Sequence, residues 1–473
     1  MPAEYWRHRI QMAKAMGLNT VAAYIFWNYH ETSEGKFDFS TTNHNIAQFF
    51  RICQEEGMWA IVRPGPYCCA EWDFGGIPPY LLKYPDLKVR CMDTRYIGAA
   101  ERYLSKLADV LRPLQVSNGG PILLLQIENE YGSYGNDRTY MEWIRSFWRK
   151  KGFTLPFFTG DEHTYMLEAG SLPGCAVGLD SGSELAHWDL ARKMNPGVPV
   201  FSSETYPGWL THWGENWAET STESIVGEVK FLLDNKKSFN LYMVHGGTNF
   251  GFTAGANSGG KGYEPDLTSY DYDAPITEQG RATPKFMALR ELIGKGRTLP
   301  EVPAPIPARP IPPIAMTPFT SLGDHLPKAV AMKIQPKPFE AIGLDSGMML
   351  SHPVDRPQEG AACHPRPPRL RHGVRRWAVR GNLGPARGQD GTGSAGVPIQ
   401  NSRPRHPRGR DGTDQLRPRD HRPEGDHRPG DPELHDPDGL AGLSPAARRE
   451  VDSIAIGNPG GGVRPLLPRP LRA

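Results

Sequence analysis

Two glutamates in this chain close apolar runs, where a carboxylate has no place unless it projects into a cleft. Glu130 follows "PILLLQIEN", and Glu204 follows "VPVFSS" 74 residues later. If both runs are strands of one barrel, the two carboxyl groups face one another across its mouth. Two such groups about 5 Å apart are what retaining glycoside hydrolysis needs, one to protonate the leaving oxygen and one to attack the anomeric carbon. The bland alternative is that each glutamate merely pairs with an arginine at a barrel rim. Asn129 before Glu130 and the aromatic residues around Glu204 weigh against it. Those aromatics favour a sugar, because a pyranose offers apolar C–H faces and a polar edge. Trp27, Trp72, Trp209 and Trp213 all stand next to strand ends, although any one of them alone would be core filler.

Other patterns fall short. "GANSGGKG" (255–262) nearly spells a phosphate-binding loop, but no Ser or Thr follows Lys261 and "YEPDL" is no helix start. It reads as a flexible loop at the mouth. "NYHE" and "GDEH" set histidine beside acids without HExxH spacing, so no metal site is expected. The six cysteines show no CxxC spacing, which argues against structural zinc and for buried thiols; a Cys69–Cys91 bridge is the one pairing to test.

The elements that must position these residues alternate. Strands are predicted at 19–26, 58–63, 121–127, 155–159, 175–178, 198–203 and 240–244. Helices are predicted at 4–16, 43–56, 95–114, 139–150, 222–235 and 284–293. That order gives a parallel sheet. Seven strands led by a helix suggest an eight-stranded (β/α)8 TIM barrel lacking its first strand. An open doubly wound sheet is the competing class, but no Gly-rich turn follows the first strand.

The chain has 473 residues, of which only 38% are hydrophobic, and the deficit is concentrated late. Residues 351–473 hold 21 Arg against 14 acids and no Lys, Phe or Tyr, so a net charge of +2 hides a basic tail. The predicted organisation is a barrel over 1–298, a Pro-rich linker over 299–316, the start of a β domain over 317–350, and a tail over 351–473. The tail has too few core formers to fold and is expected to be disordered or translated out of frame. Its basic excess lies off any folded surface, so no nucleic-acid partner is expected, the rival being an Arg-rich tail that binds nucleic acid. No apolar run reaches the length of a membrane span, and no signal peptide is visible.

"RPGPYCCAEWDFGGIPPYLL", "QIENEYGSYG", "SETYPGWLTHWG", "YMVHGGTNFGF" and "TSYDYDAP" together resemble glycoside hydrolase family 35, the β-galactosidases, over roughly 2–293. The resemblance implies a retaining exo-β-galactosidase that releases terminal galactose without a cofactor. It implies Glu130 as acid/base, Glu204 as nucleophile and Asn129 as the contact to the sugar 2-OH. Tyr24, Cys68, Ala70, Glu71, Tyr206, Tyr242 and Tyr270 match positions around the galactose, with Cys68 and Ala70 acting mainly through their backbone. It also implies a galactoside or oligosaccharide substrate and an extracytoplasmic setting. The sequence departs from the family in three places. No first strand precedes "PAEYWRHRI", the tail is unlike the family's β domains, and Cys68 replaces an aliphatic residue. A non-catalytic sugar-binding protein is the alternative function.

Overall fold

Seven short apolar runs become seven parallel strands, and an α-helix follows each of them. The computed structural model describes residues 1–162, 165–259, 262–315, 330–332, 339–353 and 451–456. Helix α1 (Trp6–Ala15) leads into β1 (Thr20–Tyr24), α2 (Ile46–Glu55), β2 (Trp59–Arg63), α3 (Thr94–Leu111) and β3 (Ile122–Gln126). Then come α4 (Arg138–Lys150), β4 (Phe157–Asp161), α5 (Tyr165–Gly170), β5 (Ala176–Asp180) and α6 (Leu185–Met194). Strand β6 (Val200–Thr205), α7 (Thr222–Asp234), β7 (Phe239–Leu241) and α8 (Pro284–Ile293) complete the series. The strands pair in sequence order, making a nearly closed TIM barrel.

The helices form where an apolar stripe meets a cap. In α3, Tyr96, Ala99, Tyr103, Leu107 and Leu111 are buried at helical spacing against the sheet, and the Asp93 carboxylate caps the first turn by accepting from the Arg95 amide. Asp137, Ser221 and Thr283 cap α4, α7 and α8 in the same way, with Pro284 pre-setting the first turn of α8.

Alternation along the strands builds the barrel interior in layers. The lower layer is apolar: Ile61, Phe158, Ala176 and Phe201, with Ala22 and Leu124 packed against them. Two residues on, the next layer is polar, with Tyr24, Arg63, Gln126 and Ser203. Strands β4 and β5 supply only Gly160 and Gly178 there. A Cβ on Gly178 would lie 2.3 Å from Ser203 Oγ, so this crowded polar layer leaves β5 no room for a side chain. A filled lower layer and a polar upper one make the C-terminal mouth the place for chemistry.

The ring is not closed by hydrogen bonds among the described strands. Strands β1 and β7 are each paired on one side only. All five residues of β1 are half-buried, whereas every residue of β4 and β5 is buried. A groove of about 140 Å³ runs between β1 and β7, lined by Ile10, Ala13, Leu18, Val21, Leu241 and Val244. This is where the predicted strand deficit lies.

Beyond the barrel strands, Ala256–Gly259 and Gly262–Pro265 pair as antiparallel strands within the stretch read as a flexible mouth loop, and Gly260 and Lys261 between them lie outside the described residues. Residues 299–315 adopt no helix or strand. Val330–Met332 and Met348–Pro353 flank Val451–Ile456 in a three-stranded antiparallel sheet. Glu340–Ile342 form a single 3-10 turn and Leu344 is buried, whereas 317–329, 333–338 and the rest of the predicted tail lie outside the described residues. Cys69 and Cys91 are both free thiols, so the bridge considered between them does not form. Among the described residues no helix is long and apolar enough to cross a membrane.

Candidate active site

Strand β6 delivers Glu204 to the mouth next to last in the strand, 5% exposed. Three donors converge on its carboxylate. Tyr24 Oη donates to Oε1 at 2.8 Å, Arg63 Nη2 lies 2.6 Å from the same oxygen, and Tyr206 Oη donates to Oε2 at 3.1 Å. Charge-assisted bonds of this kind stabilise a carboxylate strongly. Arg63 is itself held from β3, donating to Gln126 Oε1 at 2.7 Å and to Asn129 Oδ1 at 2.6 Å, while its guanidinium packs 4.2 Å over the Tyr24 ring.

Glu130 is placed differently from the expectation. Strand β3 ends at Gln126, and Glu130 lies four residues beyond it, with a φ of +44° that L-residues rarely adopt. Its amide donates to the Gly160 carbonyl at 3.0 Å, which ties it to β4. Among the described residues, the side-chain donor to its carboxylate is Asn129 Nδ2, at 3.2 Å. Burial, and after it the negative charge of Glu204, push the Glu130 carboxyl up to about 7. Two carboxyl groups therefore share one mouth in different environments, one surrounded by donors and one whose carboxyl is pushed up to about 7.

The other expected residues gather around this pair. Tyr242 Oη donates to Glu71 Oε2 at 3.4 Å, Tyr270 Oη donates to the same oxygen, and the two hydroxyls are 2.9 Å apart. Burial raises the Glu71 carboxyl, with a further push from Glu204. Rings of Tyr24 and Tyr206 lie 5.8 and 6.1 Å from that of Tyr242, so the two sets are contiguous. Cys69, Ala70 and Glu71 all have φ between +45° and +59°, a left-handed turn that carries the Glu71 side chain to Tyr242 and Tyr270. The Cys68 thiol faces inward, 1% exposed, donating to the Ile25 carbonyl. Trp27 is not at the mouth: it is fully buried, and its indole donates to Glu31 at 2.5 Å. Trp72 stacks on Phe26 at 4.3 Å, and Trp209 and Trp213 are exposed.

Three further groups belong here. Arg63 ends an apolar run as the glutamates do, so the same signal marks it. Asp180 pairs with Glu204 in register and accepts from Ser203 Oγ at 2.6 Å; burial, then Glu204 and Glu130, hold its carboxyl well above the carboxylate range. Glu128, fully buried, meets Arg90 instead of the mouth. Among the described residues one set could ligate a cation, His212, Glu215 and Glu264, with ligand atoms within 4.8 Å of each other. His212 Nδ1 is already 3.0 Å from Glu215 Oε2. His30, in "NYHE", is buried, its pKa lowered to about 4 by desolvation, and Nδ1 lies 2.9 Å from the Asp38 carbonyl. His163, in "GDEH", lies outside the described residues.

Residues 1–296 match the model of glycosyl hydrolases family 35. A β-galactosidase of Xanthomonas manihotis is 40% identical over 357 residues, covering 74% of this chain and 59% of that protein. A β-galactosidase of Felis catus is 39% identical over 307 residues, covering 64% of this chain and 45% of that protein. The chain thus spans about half the length of these curated relatives. Among solved structures, a GH5_18 protein of Bifidobacterium longum aligns over 63% of this chain and 75% of its own, with a TM-score of 0.43 and 12% identity.

Proposed function

The chain belongs to glycosyl hydrolase family 35, and from that premise we propose that it is a retaining exo-β-galactosidase. It removes terminal β-linked galactose by double displacement. The observation that carries this reading is the contrast between Glu204, met by Arg63, Tyr24 and Tyr206, and Glu130, held protonated up to about 7. Glu204 attacks the anomeric carbon while Glu130 gives its proton to the departing oxygen; the C1–O bond breaks and a galactosyl ester forms on Glu204. Neutralising Glu204 in that ester removes the charge that, after burial, did most to raise Glu130. The carboxylate left at 130 then takes a proton from water, whose oxygen attacks C1 and frees Glu204.

Asn129 has its oxygen engaged by Arg63 and Gln126 and one Nδ2 hydrogen directed to Glu130, which leaves the second Nδ2 hydrogen to donate towards a 2-OH. Glu71 with Tyr242 and Tyr270 offers acceptors and donors for the remaining hydroxyls. The filled interior beneath the mouth supports exo action, because a pocket with a closed floor accepts a chain end. The unpaired edges of β1 and β7, next to Tyr24 and Tyr242, favour a second reading in which sugar binds without turnover. Release of nitrophenol from a nitrophenyl β-galactoside separates the two. For the roles themselves, Glu204→Gly should abolish turnover and recover it with azide, giving a galactosyl azide. Near-wild-type turnover in Glu204→Gly without azide would overturn the assignment.

A further inference from the structure

Glu128 is a second carboxylate at the end of β3, and it points away from the mouth. It is 0% exposed, and four donors occupy it. Arg90 Nε and Nη2 donate to Oε1 and Oε2 at 3.1 and 2.8 Å, Tyr140 Oη from α4 donates to Oε1 at 2.8 Å, and the Asn129 amide donates to Oε2 at 2.7 Å. Arg90 Nη2 also donates to the Asn129 carbonyl at 2.6 Å. The guanidinium is sandwiched, 3.9 Å from the Tyr67 ring and 4.3 Å from that of Tyr134, and Tyr131 Oη donates to the Arg90 carbonyl.

This network grips the one peptide segment that the catalytic reading cannot leave loose. Glu128 and Glu130 have φ of +59° and +44°, so two disfavoured left-handed residues flank Asn129. A relaxed backbone there would turn Asn129 and Glu130 away from Arg63 and Glu204. Both backbone polar groups of Asn129 are bound by the Arg90–Glu128 pair, and Tyr140 fastens that pair to α4. A buried ion pair is a poor device for stability alone, since desolvating both charges offsets much of their attraction. Its fully satisfied geometry serves position instead.

We propose that Arg90, Glu128 and Tyr140 form a clamp that sets the position of Glu130 and Asn129 without touching substrate. They are positioning residues, and the proposal rests on Glu130 being the acid. In Glu128→Gln the shape is kept, but Arg90 loses its counter-charge and meets an amide donor. The expected result is a kcat lower by about 10- to 100-fold with KM within about threefold, since small misplacements of a catalytic group cost this much. The loss in kcat/KM, which reports the first step alone, should be larger for alkyl galactosides than for dinitrophenyl galactoside, whose leaving group needs no proton. A crystal structure of Glu128→Gln should show the Glu130 carboxylate displaced by about 0.5 Å or more, beyond the tolerance of a working site. Tyr140→Phe, which removes one of the four bonds, gives the same pattern more weakly and serves if Glu128→Gln does not fold. Unchanged kinetics per folded molecule, or an equal loss for every leaving group, would overturn the clamp. If the unmodified chain shows no turnover, the proposed function fails, and the position of Glu130 in the variant still decides the clamp.

Discussion

Around Glu204 the fold supplies three donors, whereas around Glu130 it supplies burial and a neighbouring negative charge, which push the Glu130 carboxyl up to about 7. Arg63 is central to that contrast, because it contacts Glu204 and Asn129 at once. Arg63→Met should lower kcat/KM by about 100-fold or more, as truncating one partner of a buried charge pair strands the other; a change under threefold would remove Arg63 from the account. The raised Glu130 has a sign for stability too. Its folded-state value, about 7, exceeds the usual carboxylate value, so between those limits the folded form binds the extra proton and stability falls as pH rises. Below the usual value the penalty vanishes; above about 7 it is complete. Glu130→Gln should therefore be more stable than the parent at pH 8 by about 3 kcal/mol and show no such gain at pH 4, read from urea unfolding at both values. Both glutamates were legible in the sequence because each closes an apolar run. Arg63 closes "WAIV" in the same manner, and a search confined to acids passes over it. Strand patterning alone does not separate Glu128 from Glu130, and it is the family resemblance that singles out Glu130; in the structure a left-handed backbone at both residues sets their different partners.

At the scale of elements, every barrel strand was legible as an apolar run, because strands buried on both faces carry no other pattern. Helices with a full stripe, such as α3 and α4, were equally clear. Helix α6 was not, because it buries only Trp188 and Ala191 and has no side-chain cap to mark its start. The expected third strand ran on towards Glu130, whereas the backbone leaves the sheet after Gln126. Glycine carries meaning in two strands. Gly178→Ala would push a methyl group into Ser203 Oγ, which is bonded to Asp180, within a layer that cannot expand. The expected cost is about 1–3 kcal/mol in chemical denaturation, as for other overpacked interiors. Gly119→Ala, with nothing within 4 Å, separates crowding from backbone strain. Alanine at 119 bears the cost of a left-handed φ and alanine at 178 does not, so a loss at Gly178 under about 0.5 kcal/mol would mean that the polar layer is loose.

The whole barrel is held unevenly. Strands β2 to β6 are paired on both sides, while among the described residues β1 and β7 each present an unpaired edge to the groove between them. Amides exchange from open edges without disrupting the rest, so β1 and β7 should exchange at least about 100-fold faster than β4 and β5 in native-state hydrogen exchange. Uniform protection around the ring would show that some other segment closes it. Tyr24 extends from β1 and Tyr242 follows β7, so that edge bears directly on the pocket and links closure of the fold to activity. The family and the central pair of glutamates could be read in the sequence from "QIENEYG" and "SETYPGW", while the open edge became visible only as a strand count. Whether the two glutamates work as proposed is tested most directly by trapping the covalent intermediate. A 2-deoxy-2-fluoro-β-galactosyl fluoride should inactivate the chain with one equivalent bound, and mass spectrometry of the digest should place the sugar on the peptide carrying Glu204. Label on Glu130 or Glu71, or turnover that continues with no label at all, would contradict the account.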